Sequence, residues 1–326
     1  MRVLVTGSSG HLGEALVRTL RERGADVIGL DIRPSEWTSV VGSVVDAGVA
    51  REVMVGVDVV LHTATLHKPQ VAFLPRQAFV DTNVSGTLAL LDAAADAGVG
   101  AFVMSSSTTV FGDALIPAPG EPAAWIDESV VPVPKNIYGV TKAAAEDLCQ
   151  LAFRNHGLPC VVLRVSRFFP EVDDAPDAHE GRSDDNVKAD EYATRRVALE
   201  DAVDVHLLAA NRAPQLGFRR YVVSATTPFA PEDLMQLRTD AAAVFQRRAP
   251  LAATVWAERG WRFPTRVDRV YVNARARGEL DWQPRFDLNA IAQMVATDGT
   301  VRTPLSREVG SKEYVGSTYH RGTFRP

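Results

Sequence analysis

Thr6-Gly7-Ser8-Ser9-Gly10-His11-Leu12-Gly13 sets glycines at i, i+3 and i+6, between an apolar run (Val3–Thr6) and a stretch with helical periodicity (Leu12–Arg23). Gly7 lets the chain reverse sharply, Gly10 lets backbone N–H groups approach a pyrophosphate, and Gly13 lets the helix pack close to the strands. The helix start, at His11 and Leu12, offers free N–H groups and the positive end of its dipole to phosphate. Asp31 stands eighteen residues after Gly13, at the end of the second apolar run. A carboxylate there accepts ribose hydroxyls and repels a 2′-phosphate, whereas Arg33 could serve that phosphate or simply be solvated. The pattern predicts a dinucleotide site that favours NAD over NADP.

The alternation continues outward. Val27–Asp31, Val57–Leu61, Ala101–Ser105, Cys160–Val165 and Tyr221–Ser224 are short runs rich in Val, Ile and Leu, as in a parallel sheet buried on both faces. Arg76–Ala97 and Tyr138–His156 carry apolar residues at helical spacing. The fold class expected is α/β, a Rossmann-type doubly wound parallel sheet with a smaller C-terminal α/β substrate domain. Residues 1–166, with about 195–226, form the dinucleotide domain in this reading, and about 167–194 and 227–300 the smaller one. The acidic stretch Glu171–Glu191 is expected to be a solvated loop or short helices, and 301–326 a weakly ordered tail.

With 326 residues, 46% hydrophobic, the chain can bury one large core or a large and a small one. A net charge of −5 gives no general attraction to nucleic acid or to an anionic membrane. No apolar run approaches the roughly 18 residues that a membrane span needs. The chain enters its first strand at Arg2, which predicts no leader segment and a cytoplasmic protein. Cys149 and Cys160, the only cysteines, read as small buried residues. No metal is expected.

Tyr138-Gly139-Val140-Thr141-Lys142 opens a helical pattern, so phenol and ammonium share one face. A free tyrosine, with a pKa of about 10, is a poor base at neutral pH. A neighbouring Lys⁺ and the positive nicotinamide ring of the oxidised cofactor favour the phenolate. Ser107 follows the strand Phe102-Val103-Met104. A hydroxyl there, past the strand's carboxyl end, can meet a substrate oxygen, with Ser105 and Ser106 as neighbours competing for the role. Asp46 is placed beyond the third strand, to bond the adenine amino group or to cap a loop.

Together, T-G-x-x-G-x-x-G, H-T-A at His62–Ala64, N-V-S-G-T at Asn83–Thr87, S-S-S-T-T-V-F-G at Ser105–Gly112 and Y-G-V-T-K resemble, in this order, the extended short-chain dehydrogenases/reductases. That superfamily includes the NAD-dependent epimerase/dehydratase family and nucleotide-sugar enzymes such as UDP-glucose 4-epimerase. The resemblance is strong over roughly residues 1 to 170 and returns at Val197–Leu208 and Arg277–Pro284. It implies Ser107 as donor to the substrate oxygen, Tyr138 as acid/base, and Lys142 as ribose ligand and pKa modifier. Asn83 takes a structural or relay position near the cofactor, or caps a helix. Two departures stand out. Arg167 occupies the place of the family's substrate-facing Asn, and Arg262, Arg266 and Arg269 stand where an Arg-Gly-Asp cluster would grip a sugar diphosphate.

The resemblance implies an enzyme acting on a hydroxyl or keto carbon of a sugar or nucleotide sugar. An epimerase with retained NAD, a simple dehydrogenase or reductase, and a non-catalytic NAD sensor stay open. A 4,6-dehydratase is disfavoured, because Thr108-Thr109 stand where that reaction needs an Asp-Glu pair. Fewer than thirty residues separate Arg167 from Arg196, and Asp173, Asp174, Asp184 and Asp185 among them would repel a diphosphate. A smaller polyhydroxy or acidic substrate paired with Arg167 is favoured over a nucleotide sugar held by Arg262. By resemblance the helices Arg76–Ala97 and Tyr138–His156 pair in a homodimer, although Leu148, Leu151 and Ala152 could equally be core.

Overall fold

The computed structural model describes residues 1–171 and 180–312. Its first half runs β1 (Arg2–Thr6), α1 (His11–Glu22), β2 (Asp26–Asp31), β3 (Val40–Val41), α2 (Ala47–Val53) and β4 (Val59–His62). The long helical expectation after β4 divides into α3 (Arg76–Phe79), a wider π-helical stretch (Val80–Ser85) and α4 (Gly86–Asp96). Then come β5 (Ala101–Ser107), β6 (Ala124–Ile126), α5 (Ile137–His156) and β7 (Cys160–Val165). The second half holds α6 (Asp184–Glu191), α7 (Leu199–Leu216), β8 (Phe218–Val223), α8 (Leu234–Thr239), α9 (Ala241–Arg248) and α10 (Pro250–Arg259). It continues through β9 (Arg269–Tyr271), α11 (Ala274–Leu280), α12 (Leu288–Asp298) and α13 (Pro304–Val309).

Seven strands form one parallel sheet in the order β3-β2-β1-β4-β5-β7-β8. The chain winds outward from β1 in one direction and from β4 in the other, so a crevice opens beyond the carboxyl ends of β1 and β4. Both faces of the sheet are covered. One core joins α1 and α7 to the sheet, and the opposite core packs α2, α4 and α5. Burial on two faces explains why the strands read as unbroken apolar runs. The first core gathers Val3 and Leu16 from the start of the chain and Trp282 and Val309 from near its end.

A third core lies around α8, α9, α10 and α12, beside the two-stranded parallel sheet of β6 and β9. It supports the expected smaller layer but redraws its edges. Leu280 and Trp282 join the first core, and Ala198 joins the third. The tail expectation is corrected over its first part, because α13 is a helix and buries Val309 at 4% exposure; residues 313–326 lie outside the described residues.

The acidic stretch holds a short helix, one of the two forms expected, but that helix is not solvated. Asp173 and Asp174 lie outside the described residues, but 184–191 is a helix whose Asn186–Glu191 face is buried. Burying those carboxylates is possible because each has a cation. Glu191 accepts from Arg167 (3.0 Å), Arg195 (2.8 Å) and Arg196 (2.9 Å). Burial alone would raise its pKa, but Arg195, Arg196 and Arg167 outweigh it and hold it at about 2. Burial raises Asp190 to about 7 despite bonds from Trp256 and Arg182. Asp184 pairs with Lys188, and Asp185 sits in the first turn of α6. No helix among the described residues is long and apolar enough to cross a membrane.

Candidate active site

The glycine turn stands at the sheet's crevice, and its shape leaves no room for side chains. Gly7 has φ +74°, and a Cβ there would lie 2.7 Å from the Ala64 nitrogen beyond β4. A Cβ on Gly13 would fall 1.9 Å from the Gly7 oxygen, so any larger residue breaks the turn against the helix. Ser9 Oγ is buried with no hydrogen-bond partner beside this cradle. Buried hydroxyls are rarely left unsatisfied, and a phosphate oxygen is a suitable acceptor. Asp31 Oδ2 accepts from Ser9 N (3.1 Å) and Oδ1 from Arg33 N (2.9 Å). Each oxygen keeps a further lone pair for a ribose hydroxyl. These residues fit an NAD phosphate and ribose. Asp31→Ala is therefore expected to relax the preference for NAD over NADP, measured as the ratio of the two affinities; a wild type that already prefers NADP would refute this reading of the loop.

Asp46 takes the capping alternative. Its Oδ1 accepts from Gly48 N (2.7 Å) and Val49 N (3.2 Å) at the start of α2. Asn83 is no helix cap. It lies buried inside the π-helical stretch, with all four of its hydrogen-bond positions filled. Oδ1 accepts from Thr65 Oγ1 and Leu66 N, and Nδ2 donates to Leu66 O and Thr141 Oγ1, at 2.9–3.0 Å. It clamps the loop after β4 to α5, which satisfies the side chain in a structural role.

The three expected catalytic residues converge. Ser107 ends β5, bonds Thr109 Oγ1 at 3.0 Å, and faces Tyr138 closely enough to moderate its titration. Tyr138 and Lys142, one turn apart on α5, are only 8% and 1% exposed. Burial pushes the phenol up to about 12, with the Ser107 hydrogen bond pulling the other way. Burial also draws the Lys142 ammonium down to about 8, opposed in part by Glu146 one turn further along α5.

Sequence reading missed what surrounds them. Glu146 is 2% exposed and receives Arg164 through both oxygens (Nη2 at 2.8 Å), together with Ser106 Oγ at 2.6 Å. Strand β5 thus alternates its serines between a structural carboxylate and the reacting end. Its third neighbour, Ser105, bonds His206 at 2.7 Å, so Ser107 alone of the three stands with the phenol. His67 is half-buried, 6.4 Å from the Tyr138 ring, and stacks on Phe169 at 5.2 Å. Burial chiefly, with nearby His11 and Lys142, lowers its pKa to about 4, so it is neutral near pH 7. A lone His in the loop after β4 carried no pattern that marked it.

Arg167 pairs with Glu191. Arg262 is directed to Glu180 O (3.0 Å), with its backbone N on Asn186, and Arg266 pairs with Asp268. The structure therefore does not bring Arg167 and Arg262 together with the Ser107–Tyr138 group as a shared anion clasp. Among the described residues no group of three or more His, Cys, Asp or Glu is set to hold a metal ion.

The family model for the NAD dependent epimerase/dehydratase family matches residues 3–185. The chain belongs to that family. It is 30% identical to the UDP-glucose 4-epimerase of Streptomyces lividans over 247 residues, 65% of this chain and 72% of the relative. It is 34% identical to the dTDP-glucose 4,6-dehydratase of Streptomyces griseus over 192 residues, 52% of this chain and 56% of the relative. Three of the curated relatives are matched over only 39%, 56% and 53% of their own length. Among solved structures, an NAD-bound short-chain dehydrogenase/reductase superfamily protein from Agrobacterium tumefaciens superposes with a TM-score of 0.65 at 25% identity, covering 94% of this chain and 99% of that one. The family is NAD dependent, and the cradle described above fits that cofactor.

Proposed function

We propose that this family member is an NAD-dependent enzyme that epimerises or oxidises a secondary hydroxyl carbon of a sugar or nucleotide sugar. The convergence of Ser107, Tyr138 and Lys142 beyond β5, beside the glycine cradle, carries the reading. When bound, NAD supplies the acceptor and donor of hydride. Ser107 donates a hydrogen bond to the reacting oxygen. Tyr138 takes the hydroxyl proton in one direction and returns it in the other. A phenol at about 12 is a weak base at neutral pH, so the reaction depends on Lys142 and the oxidised cofactor's charge to favour the phenolate. The neighbouring phenolate in turn stabilises the Lys142 ammonium against the burial that draws it down.

A simple dehydrogenase or reductase uses the same residues, and a non-catalytic sensor would not need them. The absorbance of purified protein tests this. Bound NAD(H) that survives desalting, with turnover that needs no added cofactor, supports the epimerase; protein stripped of cofactor that turns over only with added NAD supports the dehydrogenase.

For the substrate we favour a smaller polyhydroxy molecule over a nucleotide sugar. The support is the short segment after β7 and the engagement of Arg262 by Glu180. Calorimetric titration with UDP in the presence of NAD is expected to show no binding below millimolar concentration; submillimolar binding would overturn the preference.

We also propose a homodimer through α4 and α5. Ala152 is core at 7% exposure, while Leu88, Val140 and Leu151 stay 42–47% exposed on these helices. A sedimentation experiment showing only 35 kDa species at micromolar concentration would refute it. The free, buried thiols Cys149 and Cys160 suit a cytoplasmic setting.

A further inference from the structure

Phe169-Pro170-Glu171 follows β7 and crosses from the catalytic phenol to the glycine cradle. The Phe169 ring stacks on His67, which sits beside Tyr138, and meets His11 edge-on at 5.2 Å. His11 is the first residue of α1, inside the cradle itself. The three residues are tethered from outside at successive points. Arg196 Nη1 donates to Phe169 O (3.1 Å), and Lys188 Nζ donates to Pro170 O (2.7 Å). Both cations are more than nine-tenths buried and are themselves fixed, on Glu191 and Asp184.

The far end closes on one carboxylate oxygen. Glu171 Oε1 accepts from His11 Nε2 (2.8 Å) and from Lys312 N (2.9 Å). Because an ionised carboxylate only accepts, the His11 proton must sit on Nε2. The Lys312 ammonium reaches Glu14 in the first turn of α1, and Arg18 holds the same carboxylate at 2.8 Å. Residues from the start, the middle and the end of the described chain therefore meet beside the phosphate cradle.

We propose that Phe169–Glu171 is a strap that retains NAD(H) through turnover, with Glu171 as its latch on His11 and Lys312. This rests on the NAD-dependent reading above. Glu171 is a positioning residue, and the strap slows cofactor escape because its latch must open before the dinucleotide can leave. The same device suits an enzyme that reuses one cofactor molecule rather than exchanging it each cycle.

The test is the dissociation rate of NADH, followed by fluorescence after mixing the loaded protein with excess NAD. Glu171→Ala and Lys312→Pro, which removes the N–H that Glu171 accepts, are each expected to speed release, Glu171→Ala by at least tenfold. The double variant is expected to match Glu171→Ala rather than multiply the two effects, since both substitutions open one latch. Release within twofold of wild type in Glu171→Ala, or multiplicative effects in the double variant, would overturn the strap. If Glu171→Ala fails to fold, an unchanged rate in Lys312→Pro overturns it instead. Failure of the wild type to bind NADH at one equivalent would sink the NAD-dependent reading itself, an outcome distinct from unaltered release.

Discussion

Tyr138→Phe is expected to reduce turnover by about 10²–10⁴-fold while NAD affinity stays within a few fold. The phenol hydroxyl is the only atom removed, and the ring keeps its place between His67 and α5. Ser107 and Lys142 remain, so substrate and cofactor can bind but the proton has no carrier. Steady-state kinetics with direct measurement of NAD binding checks both halves. Retention of more than a tenth of the activity would remove Tyr138 from the acid/base role. In the wild type, oxidation of the hydroxyl is expected to quicken as pH rises, because the buried phenol titrates from the high side and only its ionised form accepts a proton.

The second large effect falls on stability. Glu146→Ala is expected to cost about 3–5 kcal/mol, because it leaves the Arg164 guanidinium, 3% exposed, without its counter-charge. Arg164 Nη1 already lacks a hydrogen-bond partner, and its main compensation besides Glu146 is the Phe111 ring at 5.0 Å. Arg220 also approaches the same carboxylate, at 3.2 Å, but keeps Asp147 at 2.8 Å, so the loss falls on Arg164. Denaturant unfolding measures the loss. A paired replacement of Glu146 and Arg164 by Met should be milder than Glu146→Ala, since it removes both buried charges. An equal or larger loss in the pair would show that the site tolerates no apolar filling.

Much of this arrangement was legible in the residues. The glycine turn, the apolar strands and the Tyr138–Lys142 spacing each obey a local rule, so β1, α1, β5 and α5 lie within a few residues of their expected bounds. The misses share another cause. Asn83 is held by Leu66 and Thr141, which only the folded chain brings near it, and sequence spacing does not reveal such partners. The acids of α6 looked solvated because their counter-charges, Arg167, Arg182 and Arg196, gather around them only in three dimensions. Glu146 was the most recoverable of the missed residues. It follows Lys142 by one helical turn, on a face otherwise occupied by Ala145 and Cys149 of the core, and a carboxylate there announces a buried cation.

The first core has a consequence for synthesis of the chain. Val3 in the first strand and Val309 in the last helix share one apolar cluster. At roughly 5–20 residues per second, the 305 residues between them take about 15–60 s to emerge from the ribosome. Until α7 emerges, α1 presents Leu16 and Val17 to water or to a chaperone, and the cluster stays open until α13 follows. The nascent amino-terminal half is therefore a client rather than a finished domain. Cutting the gene after β7 would yield a fragment missing one layer of its own sheet, with its glycine cradle formed on an unfinished support.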